Sequence, residues 1–135
     1  MKALLFIHFL YFSCHLYAQE KVNCGIINSL LQDKRAQREL YLDDYKNLPI
    51  VFTDIKNNFK ECNIQSFNGR KIEIVHDSSY LSKKGVQYIT INDLKSAHPK
   101  YTIYIYQKAT GAAGRIEFIR TKNKMVVSKY KIGYY

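Results

Sequence analysis

The spacing of the apolar residues changes once along this chain, and that change most narrows the folds open to it. Ahead of residue 48 they recur three and four apart, the period of a helix with one buried face; from Ile72 onward they recur two apart, the period of a half-buried strand. Helix first and sheet afterwards is the order of an α+β domain, in which helices cover one face of an antiparallel sheet.

The helical part is read over Asn23–Tyr45. Ile26, Ile27, Leu30 and Leu31 make the apolar stripe, and Asp33, Lys34, Arg35 and Arg38 fill the polar side. Asn23 is placed to cap the first turn through its side-chain oxygen. Leu40, Tyr41 and Tyr45 extend the stripe, and Pro49 ends it by about Leu48, because the residue before proline avoids helical angles. Pro49 can itself begin a second helix, with Val51, Ile55 and Phe59 four apart and Phe52 beside them. A strand over Ile50–Thr53 competes with it; the spacing is taken as the short helix. A turn follows at Asn68-Gly69.

Strands are expected at Ile72–Val75, Val86–Ile91, Tyr101–Lys108, Arg115–Thr121 and Met125–Ile132. The last three are joined by Thr110-Gly111-Ala112-Ala113-Gly114 and by Lys122-Asn123-Lys124, connections short enough to force an antiparallel meander. Alternation points Ile103, Ile105, Ile116, Phe118, Val126, Tyr130 and Ile132 toward the helices. It points Thr102, Tyr104, Tyr106, Lys108, Arg115, Glu117, Lys129 and Lys131 away from them. The expected architecture is one or two N-terminal helices on one face of a four- or five-stranded antiparallel sheet. That order resembles the cystatin-like and NTF2-like small domains, in which a curved sheet cradles a helix; the resemblance is architectural and carries no motif.

Met1–Ala18 reads as a signal peptide. Lys2 precedes the apolar run Ala3–Phe12, and the small Ala18 stands before Gln19-Glu20-Lys21. The run is too short to span a bilayer, which takes about 20 apolar residues. Residues 19–135 are then a single domain, exported to the periplasm or secreted. Two cysteines remain, Cys24 and Cys62, and an oxidising compartment favours a bridge between them. Cys14 follows Ser13 and has lipidation as a rival role, against which the bulky Tyr11 and Phe12 weigh.

Formal net charge is +10, and it is uneven: from Lys95 to Tyr135 nine lysines or arginines face one acid, Glu117. Such a field draws an acidic protein or an anionic polymer, although lysines also serve simply to keep sheets from pairing edge to edge.

Signs of catalysis are sparse. Outside the signal only His76 and His98 remain, and two imidazoles can cleave RNA by acid–base chemistry when they meet across a substrate. No histidine or cysteine pair has the spacing of a metal motif, so neither metal nor cofactor is expected. Ser78-Ser79 beside His76-Asp77 lacks the turn that presents a nucleophilic serine. Gly111 to Gly114 lies between strands and reads as a hairpin loop rather than a phosphate cradle, and Asp43-Asp44 as a solvated helix end.

The constellation left is the outward sheet face, where Tyr104 and Tyr106 stand near Arg115, Lys129 and Lys131. Flat amphipathic rings beside cations suit stacking and contact with carboxylate or phosphate. The leading expectation is a non-enzymatic binding domain of the inhibitor or immunity type that grips an acidic partner through this face. The alternatives are a secreted hydrolase of RNA or cell-wall polymer using His76 and His98, and an NTF2-like small-ligand pocket between helix and sheet.

Overall fold

The structure is a computed structural model, and it describes residues 22–44, 46–77, 87–122 and 124–135. The signal segment Met1–Ala18 with Cys14, the pair Ser78-Ser79, Tyr45, Val86 and Asn123 lie outside the described residues. The elements in chain order are α1 (22–32), α2 (Lys34–Glu39), β1 (Ile50–Thr53), β2 (Ser66–Phe67), β3 (Arg70–Val75), β4 (Gln87–Ala97), β5 (Lys100–Gln107), β6 (Ala112–Arg120) and β7 (Met125–Tyr134). The chain is α+β as expected, but the described residues form a mixed sheet of seven strands, in the order β2-β3-β1-β4-β5-β6-β7. The expected four or five antiparallel strands are corrected on both count and pairing.

The correction comes from Ile50–Thr53. The expected second helix is strand β1, paired parallel to β3 on one side and to β4 on the other. All four of its residues are buried, Ile50 and Phe52 toward one face and Val51 and Thr53 toward the other. A strand buried on both faces reads as an unbroken apolar run, which has no period of two to betray it. Ile55, counted on the helical stripe, is 49% exposed.

The first helical region also differs from its reading. It does not run unbroken to residue 48. Asp33 interrupts it, and its carboxylate accepts from Arg35 N at 3.0 Å and Ala36 N at 2.9 Å, capping a new helix. Tyr41 then takes a left-handed backbone, φ 50°, which ends α2. The carbonyls so freed are met by buried side chains from far along the chain. Gln107 Nε2 donates to Leu40 O at 2.8 Å, Arg70 Nε to Leu48 O at 2.8 Å, and Arg70 also to Leu42 O. Asn23 is no cap either. It lies within α1, buried, and its Nδ2 donates to Asn58 O at 2.6 Å. The neighbouring Cys24 is bridged to Cys62 with Cα atoms 5.2 Å apart, so the segment after β1 is held to α1 covalently and by hydrogen bond.

The meander β4–β7 is antiparallel throughout, as its short connections require. Asn68 and Gly69, both at positive φ, make the two-residue turn between β2 and β3. Ile103, Ile105, Ile116 and Phe118 pack with Ile26, Ile27, Leu30, Leu31, Phe52 and Ile89 in one core. One face assignment is corrected: Met125 and Val127, not Val126, join that core. The pairing of β6 with β7 slips between Glu117 and Phe118, so Ser128 is an extra residue. This bulge moves the inward positions from odd numbers before it to Tyr130 and Ile132 after it.

Candidate functional site

The outward face of the meander is built by register. Asp93, Tyr104, Arg115 and Lys131 are direct neighbours across β4, β5, β6 and β7. The adjacent row holds Lys95, Thr102, Glu117 and Lys129, and the row on the other side holds Thr90, Tyr106, Ala113 and Gly133. The five residues singled out from the sequence, Tyr104, Tyr106, Arg115, Lys129 and Lys131, therefore share one face within three consecutive rows.

Its charges are partly engaged. Arg115 Nε lies 3.3 Å from Glu117 Oε1, and Lys95 Nζ stands 5.1 Å from the centre of the Tyr104 ring. Lys56 Nζ holds Asp93 at 3.0 Å, and that hydrogen bond is the chief reason the Asp93 carboxyl sits below the usual carboxylate range. The two acids on the face are thus paired locally. Lys129 and Lys131 are exposed and make no ion pair among the described residues, and Tyr106 is 38% exposed in a row with the small Ala113 and with Gly133, which has no side chain.

The two histidines are not brought together. His76 follows β3, level with the end of β1; His98 lies in the β4–β5 turn, eight residues beyond Thr90, the β4 partner of Thr53. Eight strand residues place it roughly 25 Å further along the sheet. What sequence reading missed is the neighbour His76 does have. Asp54 is fully buried immediately after β1. Its Oδ2 accepts from Phe59 N at 2.7 Å and lies 3.4 Å from His76 Nδ1, and its backbone carbonyl is 3.1 Å from the same nitrogen. A single acid after a short apolar run gives no sign of this, because the contact exists only once β1 and β3 pair in parallel.

The glycine loop is no open cradle. Ala112 to Gly114 belong to β6, and a Cβ on Gly114 would stand 2.0 Å from Lys131 O. Gly111, at φ 69°, is closed over by the chain end, with Tyr135 N donating to Gly111 O at 3.1 Å. Tyr134 also docks, its hydroxyl 2.9 Å from Glu39 Oε2. Asp43 and Asp44 are exposed just after α2. Among the described residues no three His, Cys, Asp or Glu side chains gather to hold a metal, and no helix is long and apolar enough to cross a membrane.

No protein-family model matches this chain, and comparison with curated proteins and with solved structures finds no match to either.

Proposed function

We propose that this protein is an exported, non-enzymatic binding domain that grips an acidic partner through the outward face of its meander. One observation carries the reading: the register that sets Tyr104, Arg115 and Lys131 side by side, with Lys129 and Tyr106 in the flanking rows. Rings and cations in adjacent rows can meet an acidic surface with stacking and charge together. Lys129 and Lys131, which make no ion pair among the described residues, would supply the long-range attraction, and Arg115 could exchange Glu117 for a partner carboxylate. The Cys24–Cys62 bridge accords with an oxidising compartment, and the signal-like Met1–Ala18 supplies the route to it.

The test is titration of the labelled protein with an acidic polypeptide, poly-glutamate, followed by amide NMR, alongside recovery of partners from the secreted or periplasmic fraction. Shifts confined to the three rows that hold Tyr104, Tyr106 and Lys129, abolished in Arg115→Glu/Lys131→Glu, support the reading. Binding that ignores that double reversal sinks it.

A second reading, hydrolysis of RNA or cell-wall polymer, is favoured by the Asp54–His76 pair. A buried carboxylate facing Nδ1 would orient the imidazole and leave Nε2 for proton transfer. In this form it needs His76 and not His98. Loss of RNA or cell-wall polymer cleavage in His76→Ala with retention in His98→Ala would support it; no cleavage by the unaltered protein would end it. An enclosed apolar pocket beneath the helix draws no support from the packing, since Ile103, Ile105, Ile116 and Phe118 there are core.

A further inference from the structure

On the helix side of the sheet, opposite the face bearing Tyr104 and Arg115, an open cleft of about 510 Å³ separates α1 from the β6–β7 connection. Its α1 wall carries a polar stripe beside the apolar Val22 and the bridged Cys24. Gly25, Asn28, Ser29 and Gln32 recur three and four apart, on one side of the helix. Its other wall carries Arg120, Lys122 and Lys124. Arg120 ends β6 in phase with Ile116 and Phe118, so it belongs to the helix-facing side of the sheet rather than to its outer surface.

Three features set this cleft apart from an ordinary lysine-bearing turn. Among the described residues no acid lines it and none of the three cations makes an ion pair. Asp33, the nearest acid along α1, is committed elsewhere: it caps α2 and accepts from the Tyr130 hydroxyl. The opposite wall supplies neutral amides, Asn28 and Gln32, each able to donate and accept. Three like charges around one hollow repel one another, and a bound anion removes that repulsion.

The geometry points to an anion site in this cleft for a small sugar-like molecule bearing two or more phosphate, sulfate or carboxylate groups. Arg120, Lys122 and Lys124 hold the charged groups, and the Asn28 and Gln32 amides hold the hydroxyls of its body. Arginine offers a planar fork of donors matched to such oxyanions, and the lysines add point charge. The site does not depend on the outer sheet face, and it stands whether or not that face takes an acidic partner.

Calorimetry and amide NMR on the oxidised protein test it, with fructose 1,6-bisphosphate, a sulfated heparin disaccharide and digalacturonate as probes; their ranking tells which anion is meant. Inorganic phosphate and sucrose are the controls. The expected result is saturable binding of at least one probe that shifts the side-chain amide signals of Asn28 and Gln32. Arg120→Gln and Lys124→Gln should each weaken it tenfold or more, while Lys108→Gln, which is outside the cleft, weakens it less than twofold. If no probe moves those amides, or if Lys108→Gln costs as much as Arg120→Gln, the site is overturned in favour of a general charge effect. Inorganic phosphate binding as tightly as the best probe overturns the role given to the sugar body.

Discussion

Asp54 and His76 meet at the carboxyl ends of two parallel neighbours, β1 and β3, with Asp54 Oδ2 3.4 Å from His76 Nδ1 and 2.7 Å from Phe59 N. The carboxylate is fully buried while the imidazole is about a third exposed, so the first anchors the second and also the loop leading to Phe59. Asp54→Ala would leave the Phe59 N–H without its acceptor, at a cost of about 2–3 kcal/mol. His76→Ala, at the exposed end of the pair, should cost under about 1 kcal/mol. Urea unfolding of the two variants checks the order; equal losses would contradict it.

The Cys24–Cys62 bridge closes a loop with a sequence separation of 38 that contains all of α2 and β1. On the chain-entropy account such a cross-link is worth about 3–4 kcal/mol. A double Cys24→Ala/Cys62→Ala change should therefore lower Tm by about 10–20 °C. Calorimetry with and without a reductant gives the same comparison on the unaltered protein, and a shift below about 3 °C would show that other contacts hold α1 to the loop.

Two tyrosines make stability depend on alkaline pH. Burial pushes the Tyr130 hydroxyl up, with its hydrogen bond to Asp33 adding to the effect. The Tyr134 hydroxyl is pushed up to about 12, chiefly by its hydrogen bond to Glu39. Both folded values exceed the unfolded one of 10. The neutral forms are therefore the ones the fold prefers. Their contribution is complete below pH 10 and is lost as pH climbs from there through the folded values. Denaturant midpoints between pH 8 and pH 11.5 should fall, and Tyr130→Phe should flatten the fall. Tyrosinate absorbance at pH 11 should show Tyr130 and Tyr134 still protonated.

Gly114 has no room for a side chain: a Cβ there would stand 2.0 Å from Lys131 O and 2.7 Å from Ile132 Cα. Gly114→Ala must push β7 away from β6, at about 1–3 kcal/mol. Hydrogen exchange of β7 amides should quicken in this variant while β4 and β5 remain protected. Uniform protection across the sheet would show that the strand pair yields without opening.

Arg115 and Glu117 are 40% and 29% exposed, so the stability at stake in their pair is small, about 0–1 kcal/mol. Arg115→Ala should leave Tm within about 2 °C of the unaltered protein yet reduce poly-glutamate binding on the sheet face. A Tm that drops sharply would make Arg115 a structural residue instead.

Local chemistry by itself determined the meander, because period-two alternation and short connections admit no other pairing. It determined the turn at Asn68-Gly69, where two left-handed residues are needed, and the face shared by Tyr104, Tyr106, Arg115, Lys129 and Lys131, which alternation sets as far as the Ser128 bulge. Tertiary structure decided the rest. β1 is a strand because β3 and β4 take both of its edges and its two faces are buried, and a four-residue apolar run carries no periodicity of its own. Asp33, Tyr41 and the carbonyls of Leu40, Leu42 and Leu48 could leave the helix because Arg70 and Gln107 arrive from distant strands to satisfy the freed acceptors. Asp54 met His76, and Asn28 and Gln32 came to line one cleft with Arg120, only through packing. These are contacts between segments far apart in sequence, which no spacing along the chain encodes; the energy that selects them exists only when those segments meet.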